Sequence, residues 1–245
     1  VSVYRHRLGT AQADDEHIYS ITDNDRHNPY GYVTTDGRWL VFVISYGFDK
    51  NAIHLRDLSQ ADAPVVRLLD QWDGLYDFLG AMNGRLYFKT TQGAPLGRVI
   101  AIDPANPAPA EVVPEAKSTL YQASIVGGHV IASYLEDARS RVVVHRQDGS
   151  RRGDIRLPGH GTVIGFPDAA KPSDVTPLAL YRYDVAKDEV QPFRKPTVSF
   201  DSAPYVTEQV FYTSRDGTRV PMFITRRKDA KLDGSNPTLL YGYGG

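Results

Sequence analysis

The residues of this chain that could do chemistry are few and scattered. Seven histidines stand at positions 6, 17, 27, 54, 129, 145 and 160, and none sits in the HExxH pair or clustered spacing that holds a metal ion. They are expected to be surface or strand residues, with no metal bound. His160 lies in the glycine-rich run PGHGTVIG, but neither GxGxxG nor GxxxxGK[ST] is present to cradle a phosphate, and no cofactor is expected. The absence of cysteine removes a thiolate nucleophile, a disulfide framework and a Cys-type zinc site together. No Gly-x-Ser-x-Gly elbow presents a serine nucleophile. What remains is aromatic: Tyr46 and Phe48 around a glycine in SYGFDK, and Tyr243 before the paired Gly244 and Gly245 at the end of TLLYGYGG. Taken alone, the first reads as packing in a hairpin loop and the second as a strand end with a buried tyrosine.

The charge balance narrows the partners. Lys and Arg number 28 against 29 Asp and Glu, a formal charge of −1, so no net field draws the chain toward nucleic acid or an anionic membrane, and neither is expected as a partner. The basic runs Arg151-Arg152 and Arg226-Arg227-Lys228 are short, flanked by acidic residues, and predict solvated loops. No run of about 18 apolar residues exists, and VSVYRHRLGT lacks the charged-then-apolar layout of a signal peptide. The cytoplasm is the expected compartment, with the periplasm as the alternative. With 41% hydrophobic residues the chain is too apolar for disorder and should fold as packed β structure.

The elements that would position these residues repeat. TDGRWLVFVIS (35–45) with AIHLRDLS (52–59), NGRLYFKTT (83–91) with GRVIAIDP (97–104), and GGHVIASYL (127–135) with RVVVHRQDG (141–149) are three copies of one module. The turn glycines Gly37, Gly84 and Gly128 lie 47 and 44 residues apart, and the closing aspartates Asp57, Asp103 and Asp148 lie 46 and 45 apart. Four short antiparallel strands need about 40 to 50 residues, so each copy predicts one propeller blade, which buries its faces only by stacking on its neighbours. In RLYFKT, Leu86 and Phe88 should point one way and Tyr87 and Lys89 the other. A sandwich with accidentally equal spacing is the competing architecture. A fourth copy closes with ALYRYDVAKDEV, but Asp184 follows Asp148 by 36 residues, about ten short, and the deficit falls in GFPDAAKPSDV (165–175).

After Pro196 the period stops. VTEQVFYTSRDGTRVPMFITRRK predicts a hairpin of 209–214 and 219–227 around Asp216-Gly217, and TLLYGYGG predicts a strand buried on both faces, as in an α/β protein. The expected division is blades over 1–197 and the start of a second domain over 198–245.

The segment from Val210 to Gly245 resembles the opening of the hydrolase domain of prolyl oligopeptidases, and RLGTAQADDEHIY, TDGRWLVFVIS and DQWDGLYDFLG resemble blades of that family. The short fourth copy departs from it. The resemblance implies a mostly β chain: about four blades of a seven-bladed propeller, followed by the first strands of an α/β-hydrolase domain. It implies a serine peptidase that cleaves short peptides after proline, with the propeller as a size-selective gate and the active site between the domains. It places the Ser, Asp and His triad beyond Gly245, so this segment alone should be inactive and should begin and end within a longer enzyme. It assigns Tyr243 as a hydroxyl donor to the oxyanion, with Gly244 and Gly245 letting the backbone turn, and puts Phe48 near a substrate-facing position. The expected partners are a proline-containing oligopeptide and the rest of the same enzyme. A non-enzymatic propeller that binds peptides or proteins, and a basic-specific peptidase like oligopeptidase B, are the alternatives.

Overall fold

Residues 1–159, 161–164, 180–194 and 201–242 are described by the computed structural model. Three four-stranded antiparallel sheets run in sequence order: β3 (Asn28–Val33), β4 (Trp39–Tyr46), β5 (Lys50–Asp57) and β6 (Val66–Leu69); β7 (Tyr76–Met82), β8 (Arg85–Thr90), β9 (Arg98–Asp103) and β10 (Asn106–Val113); β11 (Thr119–Val126), β12 (His129–Glu136), β13 (Arg139–His145) and β14 (Arg151–Asp154). They are flanked by two-stranded sheets, β1 (Ser2–Arg5) with β2 (Glu16–Ser20) before them and β15 (Leu180–Asp184) with β16 (Glu189–Arg194) after them. A last hairpin pairs β17 (Tyr205–Thr213) with β18 (Arg219–Arg227).

Strand alternation assigns every central strand to two cores at once. On β4, Val41 faces the β7–β10 sheet while Phe42 and Ile44 face the β1–β2 pair; on β5, Ile53 and Leu55 go one way and Ala52 the other. Leu86 and Phe88 of β8, with Ile100 and Ile102 of β9, meet Val41, Ile53 and Leu55. Their neighbours Tyr87, Val99 and Ala101 turn to Val130, Ala132, Tyr134 and Val143 of the following sheet. Ile131, Val142 and Val144 pack in turn against Ile155, with Tyr183 and Val190 of the β15–β16 pair against the same cluster. Phe42, Phe88, Ile53 and Ile102 are fully buried, and each such side chain contributes about 1.5 to 3 kcal/mol. A sandwich would leave each sheet one wet face, whereas these inner sheets are apolar on both; the modules are stacked blades.

The periodic landmarks have local causes. Gly37, Gly84 and Gly128 carry φ of 71°, 74° and 74° and link the first strand of a blade to the second. The aspartates link the third strand to the fourth, and each folds its own turn by accepting the backbone N–H two residues on: Ser59 to Asp57 at 2.9 Å, Ala105 to Asp103 at 2.9 Å, Ser150 to Asp148 at 2.8 Å and Ala186 to Asp184 at 3.0 Å. Asp184 therefore marks β15 and β16 as third and fourth strands, and the shortfall at 165–175 lies outside the described residues. At the other end of the strands a second repeat appears. The Asn51 amide brackets Tyr76 of the next blade, accepting its N–H at 2.7 Å and donating to its carbonyl at 3.0 Å. The Leu96 carbonyl accepts Leu120 N–H at 2.7 Å, and Ser140 N–H reaches Gly161 carbonyl at 2.8 Å. These staples fall at 51, 96 and 140, the same interval as the blades.

Three expectations change. Arg151 and Arg152 stand on β14; Arg151 pairs with Asp154 of the same strand, while Arg152 donates to the carbonyls of Val185 and Ala186 in the next sheet and so joins blades. The tail hairpin begins at Tyr205, four residues before the predicted start. Thr238–Tyr241 forms no strand: no described strand pairs with it, and Leu239, Leu240 and Tyr241 are exposed. Of the tail after Pro196, only the β17–β18 hairpin is formed among the described residues.

Gly149, in the β13–β14 turn, has φ 83°, and a Cβ there would lie 2.1 Å from the carbonyl oxygen of Val112 on the preceding blade. Gly149→Ala should cost about 2 kcal/mol or more, because rigid backbone must move. Gly84→Ala, whose Cβ meets nothing, should cost about 1 kcal/mol from φ alone. Urea unfolding midpoints of the two variants, compared with the parent, measure the difference; equal shifts would contradict the close approach.

Candidate functional site

In an antiparallel meander the loops alternate between two ends, and a cluster of three rings stands at one of them. The β3–β4, β5–β6, β9–β10 and β13–β14 turns are closed by their own aspartates, Asp36, Asp57, Asp103 and Asp148. A cleft there of about 460 Å³, lined by Arg38, Asp57, Arg85 and Asp103 among others, has its carboxylates committed to Ser59 and Ala105. The opposite end carries the β2–β3, β4–β5, β6–β7, β8–β9 and β12–β13 loops. There, three rings from three loops converge: His27 stacks on Trp72 with centroids 4.3 Å apart and planes 27° from parallel, and Tyr46 meets both edge-on at 5.5 and 6.5 Å. Trp72 holds φ 55°, a left-handed conformation that bulky residues keep only where the surroundings impose it. Phe48, in the turn beyond Tyr46, is 98% exposed.

A charged clamp sets the two loops that supply His27 and Trp72. Arg67 on β6 reaches Asp23 of the β2–β3 loop at 3.0 Å and Asp70 of the β6–β7 loop at 2.9 Å. Asp70 also faces Nε2 of buried His54 at 3.4 Å, and the Tyr19 hydroxyl lies 2.8 Å from its Nδ1. All these atoms are satisfied if Tyr19 donates to Nδ1 and Nε2–H points at Asp70. Burial pushes the His54 imidazole below its ordinary value of 6.5, against the upward pull of Asp70. Asp70 feels burial first, yet the hydrogen bonds from Arg67 and His54 hold it below the ordinary carboxylate value. Arg67 is 53% exposed, and exposed pairs of this kind add little to stability. Their importance is therefore positional.

The same end receives the tail hairpin, because the Gln209 side chain of β17 donates to the backbone carbonyl of Asp137 in the β12–β13 turn at 2.5 Å. The arrangement can hold an extended or ring-bearing ligand by apolar contact. Tyr243, Gly244 and Gly245 lie outside the described residues, as does His160. Among the described residues no group of three or more His, Cys, Asp or Glu could hold a metal ion, and no helix is long and apolar enough to cross a membrane. Sequence reasoning named Tyr46 and Phe48 but missed His27 and Trp72, since neither sits in a motif. Their signal was Asp23 and Asp70 at the loop starts with Arg67 between, which has no meaning until two blades are adjacent.

Comparison with known proteins gives these findings. The family model described as prolyl oligopeptidase, N-terminal beta-propeller domain, matches residues 1–196. Prolyl endopeptidases of Elizabethkingia miricola and Elizabethkingia meningoseptica are 34% and 33% identical over 99% of this chain, which covers 36% of each. A solved structure from a structural and mechanistic analysis of two prolyl endopeptidases, concerned with inter-domain dynamics in catalysis and specificity, matches with a TM-score of 0.79 at 33% identity. It covers 94% of this chain and 36% of its own. Prolyl oligopeptidase B from Galerina marginata, at 23% identity, shares the fold with a TM-score of 0.83 over 95% of this chain and 36% of its own. The chain thus spans little more than a third of the length of the relatives it matches.

Because the folded-state value of His54 is depressed, its contribution to stability is full above 6.5 and is lost as pH falls from there through the folded value. Thermal midpoints should therefore drop as pH falls from 6.5 through the lowered folded-state value of His54. His54→Phe should flatten that interval while leaving the fall at carboxylate pH in place; an unchanged slope would show that the histidine is not the group responsible.

Proposed function

Because this chain belongs to the prolyl oligopeptidase family, we propose that it is the propeller portion and first hydrolase hairpin of a serine-type endopeptidase that cleaves short peptides on the carboxyl side of proline. The observation that carries this is geometric: the hairpin that opens the second domain meets the same loop end that bears Tyr46, Phe48, His27 and Trp72. A substrate held between the domains would have one wall made of these rings. Apolar walls with a few orienting polar groups suit a small peptide, and the planar faces suit a pyrrolidine ring. Stacked blades with stapled loops would admit oligopeptides and exclude folded proteins, which makes the propeller a size gate.

In this reading Tyr243 supplies the oxyanion with a neutral hydroxyl donor. A phenol with a pKa near ~10 donates at neutral pH and does not compete for the proton. Its bond to a developing negative charge strengthens along the reaction path, which accelerates the chemical step without tightening substrate binding. Gly244 and Gly245 would let the backbone turn beside it. Nucleophile, base and acid would come from the remaining hydrolase chain, in the order Ser, Asp, His.

The full-length protein should release the leaving group from a succinyl-Gly-Pro amide at least about 100-fold faster than from the matching Arg amide, as a pocket shaped for one side chain rejects a longer charged one. Tyr243→Phe should lower kcat by about 100- to 1000-fold with KM little changed, the usual consequence of losing one oxyanion donor. Preferential cleavage of the Arg amide would point instead to the basic-specific relative, and absence of both activities to a binding propeller. Cleavage of an intact folded protein as fast as of a short peptide would contradict the size gate.

A further inference from the structure

The contact between the tail hairpin and the blades lacks the shared apolar cluster that joins successive blades. Successive blades share buried apolar clusters, and none of the four clusters contains a residue of β17 or β18. What the structure does place across this junction is the amide of Gln209 on the carbonyl of Asp137. A junction held by polar contact, without a shared apolar core, leaves relative motion of its two sides as the default.

The receiving turn is unusual. Glu136 pairs with Arg139, so Asp137 and Ala138 form a two-residue hairpin loop. Their φ values are 49° and 61°, the doubly left-handed turn that Asn-Gly ordinarily fills. An alanine at φ 61° has no side-chain hydrogen bond to compensate, and residues held in such regions cluster where a backbone group must be presented in a fixed direction. By contrast, the corresponding loops of the two preceding blades use glycines for their left-handed positions, Gly47 in one and Gly93 and Gly97 in the other. The β12 and β13 strands beneath the turn are among the most buried in the chain, so the carbonyl is mounted on a rigid base.

We propose that Gln209 is a positioning residue: its bond to the Asp137 carbonyl is a latch that fixes the first hydrolase hairpin on the third complete blade, and its release opens the cleft through which a peptide enters. The latch is a neutral hydrogen bond at a half-exposed position, so it exchanges readily with water. That suits a contact made and broken in each cycle. The opening role rests on the peptidase reading above; the latch itself does not.

The test uses the full-length protein with spin labels at Arg215→Cys, in the hairpin turn, and Tyr121→Cys on β11. This stretch has no native cysteine; those elsewhere in the protein are replaced first. The parent should give one narrow distance distribution, and Gln209→Ala should give a broader, longer one, with an unchanged thermal midpoint showing that the fold is intact. Gln209→Asn, which is too short to reach, should behave like Gln209→Ala. Identical distributions in parent and variants would overturn the latch, whatever the enzyme cleaves. In kinetics, Gln209→Ala should change kcat/KM for a proline peptide of about 20 residues several-fold more than for a short proline amide, since only the larger substrate needs the wider opening. Equal changes for both substrates would overturn the opening role and leave the latch standing; no turnover of either would count against the peptidase reading alone.

Discussion

No blade of this protein has a core of its own. Each inner strand sends alternate side chains into two different interfaces, so Phe88 and Tyr87, adjacent in sequence, belong to separate hydrophobic clusters. The stability of a blade is then the stability of its contacts with the blades on either side, as in other stacked repeats. From this one constraint the rest follows. Blades must keep a constant thickness and register, which is why the turn glycines, the closing aspartates and the inter-blade staples all recur at nearly the same interval. Arg152 extends the rule to the two-stranded β15–β16 sheet, where it caps carbonyls across the junction.

The stack also explains how its two ends differ. One end is finished by turns whose aspartates satisfy their own backbone, and Ser59 and Ser150 hold Asp57 and Asp148 below the ordinary carboxylate value. Such turns are self-sufficient. The other end is fastened from blade to blade by Asn51, Leu96 and Ser140, and its loops are left free to carry side chains that do not serve the fold. Arg67 uses this freedom. By bridging Asp23 and Asp70 it locates His27 and Trp72 against Tyr46, and the strained backbone of Trp72 is retained because both neighbours are fixed. The tail hairpin arrives at this end by a polar contact and shares none of the four buried clusters found among the described residues.

Much of the blade pattern was legible in the sequence because the second and third strands of each blade are buried on both faces and read as dense β-branched and aromatic runs. Leu86 and Phe88 could be set apart from Tyr87 by period alone. The first and fourth strands were not legible. β10, NPAPAEVV, is exposed over most of its length and contains two prolines, which an outer strand tolerates and a central one does not; β14 is a four-residue run of Arg, Arg, Gly and Asp. The staples at 51, 96 and 140 share a position and not a residue type, since two of them use backbone groups, so no motif could reveal them. The aromatic end was half legible. Tyr46 and Phe48 flank a turn glycine, but His27 and Trp72 acquire meaning only when loops 45 residues apart in sequence are brought together. The expected strand at Leu239 to Tyr241 shows the converse: apolar residues in succession predict burial only where another strand is there to cover them.

The central claim is that the end of the stack bearing Tyr46, Phe48, His27 and Trp72 faces the reacting peptide. The most direct measurement is a crystal structure of the full-length protein with a peptidyl-prolinal bound covalently at its nucleophile. The account predicts the inhibitor's amino-terminal residues within van der Waals contact of the Phe48 and Tyr46 rings, with the Asp57, Asp103 and Asp148 turns at the far end of the blades. An inhibitor lying against those aspartate turns, or a hydrolase domain seated over them, would contradict it.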